Sequence, residues 1–291
     1  MEVNSPKTVN PIIQKNIGQN LSDKENHKNS FLASTAVFAA SKIPRTILIL
    51  ALMSKFKITS NLNKDEFLQV ENGINKTLKD SGLAKQGVTI LKYSDKNAEE
   101  ISKILMGEMD KKVKFLPKPL KEFFIDLKIQ NLKYGINAYT LQDANKILMP
   151  EKELTLAAFH EMGHITNNLS KIGKLLQKSR YISLFSIPII LIALLKPKKD
   201  SDKKSTGTID KITDFIKYNA GKLTFLTILP KLAEEELASM KGNELAKKVL
   251  NESLSKKVSK SNNLAYITYF GTAVISSITV AKAVKEKDAA Q

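Results

Sequence analysis

The segment His160-Glu161-Met162-Gly163-His164 contains two histidines and a glutamate at a spacing that can build a metal site. On a helix, residues four apart lie on the same face, so both imidazoles can bind one ion. The glutamate beside the first histidine stands where it can take a proton from a water molecule at the metal. The segment therefore predicts metal-assisted hydrolysis by one Zn²⁺, with His160 and His164 as metal ligands and Glu161 as catalytic base. The alternative is a polar turn of a surface helix with both histidines solvated.

A third ligand is needed, since catalytic zinc sites usually have three protein ligands and one open position. The chain has no cysteine, and the remaining histidine, His27, lies in a polar segment rich in Lys and Asn. A carboxylate is therefore expected. The best cluster is Glu234-Glu235-Glu236, of which only one side chain can face the metal from a helix. The alternative is a solvated acidic first turn of a helix that begins after Pro230.

The elements around the motif are predicted from periodicity and breakers. Strands are expected at 88–93, 137–140 and 146–149, and helices at 64–83, 98–109 and 121–132. A helix starting near Pro150 should carry the H-E-x-x-H motif. Gly163 removes bulk where another backbone or a substrate strand can approach. The expected fold class is α+β, mostly helical, with a small edge sheet.

Four short motifs follow one another in an order known from a peptidase family. They are Asn137-Ala138-Tyr139, Lys146-Ile147-Leu148-Met149, H-E-x-x-H and, after an apolar stretch, Glu235-x-x-Ala238. This layout resembles the HtpX heat-shock protease and CAAX prenyl protease family of membrane zinc metallopeptidases, over roughly residues 64 to 250. The resemblance implies a zincin-like domain with hydrophobic or transmembrane helices and gluzincin-type endopeptidase activity.

The resemblance also assigns residues. It implies that Glu235 is the third zinc ligand and that an edge strand binds an extended polypeptide substrate. The substrate-binding residues implied on that strand are Asn137, Ala138 and Tyr139. The family's acidic residue after the alanine is Ser239 here, and loss of such a supporting residue typically costs about 10–100-fold in metal affinity or activity. Two expectations follow from Ser239. Either the activity is reduced, or Glu236 supports a metal ligand in its place.

The charge balance favours a membrane over nucleic acid. The chain has 46 Lys and Arg against 29 Asp and Glu, for a net charge of +17, which attracts polyanions. Arginine is scarce beside lysine, and no helix-turn-helix, RNP-like or zinc-finger pattern is present, so nucleic acid is not favoured as a partner. Basic residues flank the apolar runs Tyr181–Leu195 and Ser261–Ala281, as expected at an anionic lipid membrane. A generally Lys-rich proteome is the alternative explanation.

Six regions are predicted along the chain. They are a disordered polar tail (1–30), a hydrophobic membrane-helix region (31–58), a catalytic zincin-like part (59–176), a hydrophobic insertion with a basic linker (177–231), a helix carrying the third ligand (232–260), and a transmembrane candidate with a basic tail (261–291). Tyr181–Leu195 is shorter than the ~20 residues that span a bilayer, so a buried core helix is its alternative. Ser261–Ala281 is long enough to span one.

Three hypotheses follow. The first is a membrane-associated zinc metalloendopeptidase, integral to the membrane, with its active site facing the cytoplasm. The second is a catalytically weakened or inactive membrane scaffold that retains the metallopeptidase fold. The third is a soluble basic protein that binds nucleic acid.

Overall fold

The computed structural model describes residues 50–51, 53–54, 57–58, 61–114, 116–135, 137–141, 143–150, 155–198 and 207–290. The predicted polar tail and most of the predicted hydrophobic region over 31–58 lie outside these residues. Within the described ranges the chain is mostly helical with one small sheet, which confirms the predicted fold class at that level.

Three short strands form the sheet in the spatial order β1-β3-β2. Their bounds are β1 (Thr89–Lys92), β2 (Tyr139–Leu141) and β3 (Lys146–Met149). The central strand β3 pairs antiparallel with β2, with Thr140 opposite Ile147, as the adjacent positions of these strands in the chain predict. It also pairs parallel with β1, with Ile90 opposite Ile147. The strand β2 therefore lies at an edge of the sheet.

The sheet separates two hydrophobic cores because its side chains alternate between its faces. The helices next to it are α1 (Lys64–Asp80), α2 (Ala98–Lys112), α3 (Lys118–Lys133) and α4 (Ala157–Asn168). Ile147 and Met149 pack into the core that contains α1 and α4. Leu148 packs on the other side, into the core formed with α2 and α3. The motif helix α4 begins at Ala157, later than the start predicted near Pro150.

Helices build the second half of the chain. They are α5 (Lys171–Ser179), a 3₁₀ segment (Arg180–Phe185), α6 (Ser186–Leu195), α7 (Thr208–Tyr218), α8 (Ala220–Val249) and α9 (Glu252–Ala290). Pro230 lies inside α8 rather than at its start. The interpretation of the glutamate cluster as an acidic first turn is therefore wrong, because these residues lie in the middle of a 30-residue helix.

Two helical runs are long and apolar enough to cross a membrane: Lys171–Leu195 with 25 residues and α9 with 39. The apolar window of the first run is only 6% buried, and that of α9 is 22% buried. The alternative of a buried core helix for Tyr181–Leu195 is therefore wrong. The parts of α6, α8 and α9 remote from the sheet meet in a small core of their own, which contains Ala193, Ala220, Val280 and Val284.

Candidate metal centre

The site forms where α4 crosses α8, and two glycines allow the close approach. A Cβ built on Gly163 would lie 2.1 Å from the carbonyl oxygen of Ala238, and one built on Gly242 would lie 2.6 Å from the carbonyl oxygen of Phe159. Both distances are too short for real carbon atoms, so only glycine fits at either position. The space predicted at Gly163 is thus taken by another backbone, that of α8.

Three side-chain atoms from these helices meet in a triangle. The Nε2 atoms of His160 and His164 are 3.1 Å apart. The Oε2 atom of Glu235 lies 3.3 Å from Nε2 of His160 and 3.4 Å from Nε2 of His164. All three residues are buried. The structure therefore brings together the two predicted histidine ligands and the glutamate that the resemblance implied.

The triangle has the dimensions of a zinc site. Nitrogen and oxygen ligands at 2.0–2.1 Å in a tetrahedron lie about 3.3 Å from one another. The three observed separations of 3.1, 3.3 and 3.4 Å bracket that value. Two imidazoles and one carboxylate are also a donor set that suits zinc. The residues present fit one zinc ion with a fourth position left for another ligand.

The Nδ1 atom of each histidine, on the side of the ring away from the triangle, contacts a second side chain. Nδ1 of His164 lies 2.6 Å from Oε1 of Glu234, and Nδ1 of His160 lies 3.2 Å from the hydroxyl of Ser239. Such contacts select the tautomer that presents Nε2 to a metal and orient the ring. Ser239 therefore occupies the supporting position despite lacking a carboxylate. Gln177 further donates a hydrogen bond of 2.8 Å to the carbonyl of His164.

Arg180 reaches the same carboxylates from the 3₁₀ segment. Its Nη1 atom forms an ion pair of 3.2 Å with Oε2 of Glu234, and its Nη2 atom lies 3.3 Å from Oε1 of Glu235. The two glutamates are 0% and 2% exposed. Two buried carboxylates side by side repel each other, and the guanidinium offsets that repulsion.

The carboxylates also set the protonation of the site. Burial alone would lower the pKa of His164, but the charge of Glu235 and a hydrogen bond with Glu234 raise it to about 10. Burial would raise the pKa of Glu235, yet its contacts with His164, His160 and Arg180 hold that pKa well below the usual range. At neutral pH a metal ion must therefore displace a proton from His164.

Glu161 points to the edge strand β2. Its Oε2 atom accepts a hydrogen bond of 2.7 Å from the hydroxyl of Thr140, which also lies 3.0 Å from the Glu161 carbonyl oxygen. The carboxyl of Glu161 lies near enough to both histidines for the three residues to form a possible metal-binding group. Thr140 thus holds the predicted base beside the histidine ligands.

The predicted substrate-binding residues occupy different environments. Asn137 lines a narrow cleft with His160 and Glu161, which α9 closes from the other side through Tyr269. The cleft has a volume of about 10 Å³, room for about one water molecule. The ring of Tyr139 packs instead against the core formed with α2 and α3, and its hydroxyl accepts a hydrogen bond from Asn131. Ala138 is buried in the other core.

Glu236, the alternative supporting residue, is not brought to the site. It is exposed, because one residue further along α8 rotates a side chain by about 100° away from the metal face. Sequence reasoning did not identify four residues of the site: Glu234 in its supporting role, Thr140, Gln177 and Arg180. Only Arg180 carries a compositional signal, since Arg45 and Arg180 are the two arginines of the chain.

No protein-family model, curated protein or solved structure matches the chain.

Proposed function

We propose that the chain is a membrane-associated, zinc-dependent metalloendopeptidase. The observation that carries the proposal is the buried triangle of His160 Nε2, His164 Nε2 and Glu235 Oε2, with separations of 3.1–3.4 Å. A carboxylate from the same motif, that of Glu161, lies beside it. A solvated surface turn would not bury two histidines and two glutamates together.

Each residue has a defined task in this proposal. His160, His164 and Glu235 hold the ion, which when bound supplies Lewis-acid chemistry by polarising the scissile carbonyl and activating a water molecule. Glu161 takes the proton from that water and delivers it to the leaving amine. Thr140 holds the Glu161 carboxylate in place through its 2.7 Å hydrogen bond. The free edge of β2 offers main-chain groups to an extended polypeptide.

A membrane location is supported by the exposed apolar surface. Large hydrophobic side chains that face outward lie on α6, α8 and α9: Ile187, Leu191, Leu195, Leu226, Leu229, Ile267 and Phe270. A patch of this kind on adjacent helices marks a protein or lipid interface. The net charge of +17 suits anionic headgroups. These features favour an integral protein over a soluble nucleic-acid-binding one.

The test of the catalytic proposal compares two acid-to-amide changes in the purified full chain. Glu161→Gln should abolish cleavage of a denatured, fluorescently labelled polypeptide while zinc remains at one ion per chain. The control is Glu236→Gln, which removes the same charge from an exposed position of α8 and should leave cleavage unchanged. Cleavage by Glu161→Gln at the rate of the unaltered chain would sink the mechanism.

A second candidate is favoured by the narrow cleft. The cleft that reaches His160 and Glu161 has a volume of about 10 Å³, which holds about one water molecule and no peptide segment. A weakened or inactive membrane scaffold would account for this closure. It predicts that the unaltered chain cleaves polypeptides slowly or not at all, and the absence of stoichiometric zinc would favour it over the peptidase.

The membrane topology can be determined by labelling single introduced cysteines, because the chain has no cysteine of its own. Lys178→Cys lies on α5, two residues before Arg180, and Lys211→Cys lies on α7 beyond the apolar run. Both lysines are exposed. Labelling with a membrane-impermeant maleimide in intact and permeabilised cells then reports their sides. A cytoplasmic active site predicts that Lys178→Cys reacts only after permeabilisation.

A further inference from the structure

We infer that Arg180 is a positioning residue that makes Glu235 bind metal through a single oxygen, an inference that rests on the proposed metal site.

The carboxylate of Glu235 divides its two oxygens between two tasks. Oε2 faces the Nε2 atoms of both histidines at 3.3 and 3.4 Å. Oε1 lies 3.3 Å from Nη2 of Arg180. Turning the carboxylate so that both oxygens face a metal would break the contact with the guanidinium. Glu235 is thus restricted to one metal bond, and the fourth position of a tetrahedral site stays open for water or substrate.

The second arm of Arg180 supports a histidine through Glu234. Nη1 lies 3.2 Å from Oε2 of Glu234, whose Oε1 lies 2.6 Å from Nδ1 of His164. One guanidinium therefore fixes both an oxygen ligand and the ring of a nitrogen ligand. Its planar, forked donors suit this task, whereas an ammonium group is a single point charge.

Composition gives an independent reason to single out this residue. Of the 46 basic residues only two are arginine, Arg45 and Arg180, and the other 44 are lysine. Arg180 lies where two buried carboxylates meet: it donates a hydrogen bond to Glu235 and forms an ion pair with Glu234. Arg45 lies outside the described residues.

The location of Arg180 ties the metal centre to the apolar insertion. It is the first residue of the 3₁₀ segment within the helical run Lys171–Leu195. Its side chain is 34% exposed, while both carboxylates that it contacts are almost fully buried. The apolar run therefore contributes a residue to the site as well as a surface for lipid.

Cobalt spectroscopy on the purified full chain in detergent tests the inference. Co²⁺ absorbs visible light more strongly in four-coordinate sites than in five-coordinate ones. Arg180→Gln should lower this absorption, because Glu235 becomes free to bind through both oxygens, and should weaken Zn²⁺ binding about 10–100-fold. Lys178→Gln is the control: it removes one positive charge from an exposed position on the same helical run and should match the unaltered chain.

Arg180→Lys keeps the inference testable if Arg180→Gln does not fold, as judged by circular dichroism. It should recover part of the Zn²⁺ affinity without the four-coordinate spectrum, because an ammonium group cannot hold both carboxylates in the fork geometry. Unaltered spectrum and affinity in Arg180→Lys would overturn the inference and leave the proposed function intact. Failure of the unaltered chain to bind Co²⁺ or Zn²⁺ would overturn both.

Discussion

Replacing Gly163 by alanine should disrupt the metal centre without touching a ligand. The added Cβ would lie 2.1 Å from the carbonyl oxygen of Ala238, 2.9 Å from its carbonyl carbon and 2.9 Å from the nitrogen of Gly242. All three atoms belong to the backbone of α8, so no side chain can rotate away. Ordinary van der Waals contact of a Cβ begins at 3.4 Å, so α4 and α8 must separate by about 1 Å or more.

That separation exceeds what a zinc site tolerates. Ligand distances in such sites stay within about 0.2 Å of their usual values. The gap from the histidine Nε2 atoms to Glu235 Oε2, now 3.3–3.4 Å, would widen by several times that amount. Overpacking typically costs about 1–3 kcal/mol, and the unyielding backbone places this case at the upper end. To bind zinc, the variant must close this gap at a cost of about 3 kcal/mol. That cost corresponds to a zinc affinity about 100-fold weaker than that of the unaltered chain.

Competition with a coloured chelator in detergent measures the zinc affinity of the purified variant. Gly107→Ala is the matched control, because Gly107 also lies inside a helix and an added Cβ meets nothing within 4 Å. There alanine should stabilise the protein by about 0.5–1 kcal/mol through its helix propensity. Gly163→Ala with the zinc affinity of the unaltered chain would refute the helix-crossing argument.

Three further predictions concern the groups around the ligands. Ser239→Ala should weaken zinc binding by about tenfold, because His160 loses the hydroxyl group next to its Nδ1 atom. Isothermal titration calorimetry measures the zinc affinity. An unchanged affinity would show that Ser239 does not support His160. Thr140→Val keeps the side-chain shape but removes the hydrogen bond to Glu161. The kcat should therefore fall about tenfold or more while the zinc content stays unchanged. A loss of zinc as large as the loss of kcat would instead indicate structural damage. Since the neighbouring carboxylates raise the pKa of His164 to about 10, its proton competes with the metal below that pH. Apparent zinc affinity should therefore rise about tenfold per pH unit between pH 6 and 8, and a flat profile would contradict the protonated state of His164.

Local patterns determined the elements that carry the site. The spacing of His160 and His164 placed two ring nitrogens on one helical face, and the structure has that helix. The predicted strand pair at 137–140 and 146–149 is present as β2 and β3, although β2 begins at Tyr139 and ends at Leu141. These predictions depend on neighbours within a few residues, whose geometry the helix and strand repeats set.

Longer-range relations needed the fold. The parallel pairing of β1 with β3 joins segments separated by two helices, and no local signal encodes it. The extent of α8 through Pro230 was also missed, because proline normally marks a helix boundary. Packing of α8 against α4 and α9 supports the helix on both sides of that residue.

The chemistry of the site divides in the same way. By itself the sequence predicted two histidine ligands, Glu161 as the base and the need for a carboxylate ligand, because residue type and helical spacing suffice for those predictions. Only the tertiary structure decided that Glu234 and Ser239 support the histidines, that Thr140 holds Glu161 and that Arg180 joins two carboxylates. These contacts join residues up to 79 positions apart, and their distances depend on how closely the glycines let α4 and α8 approach.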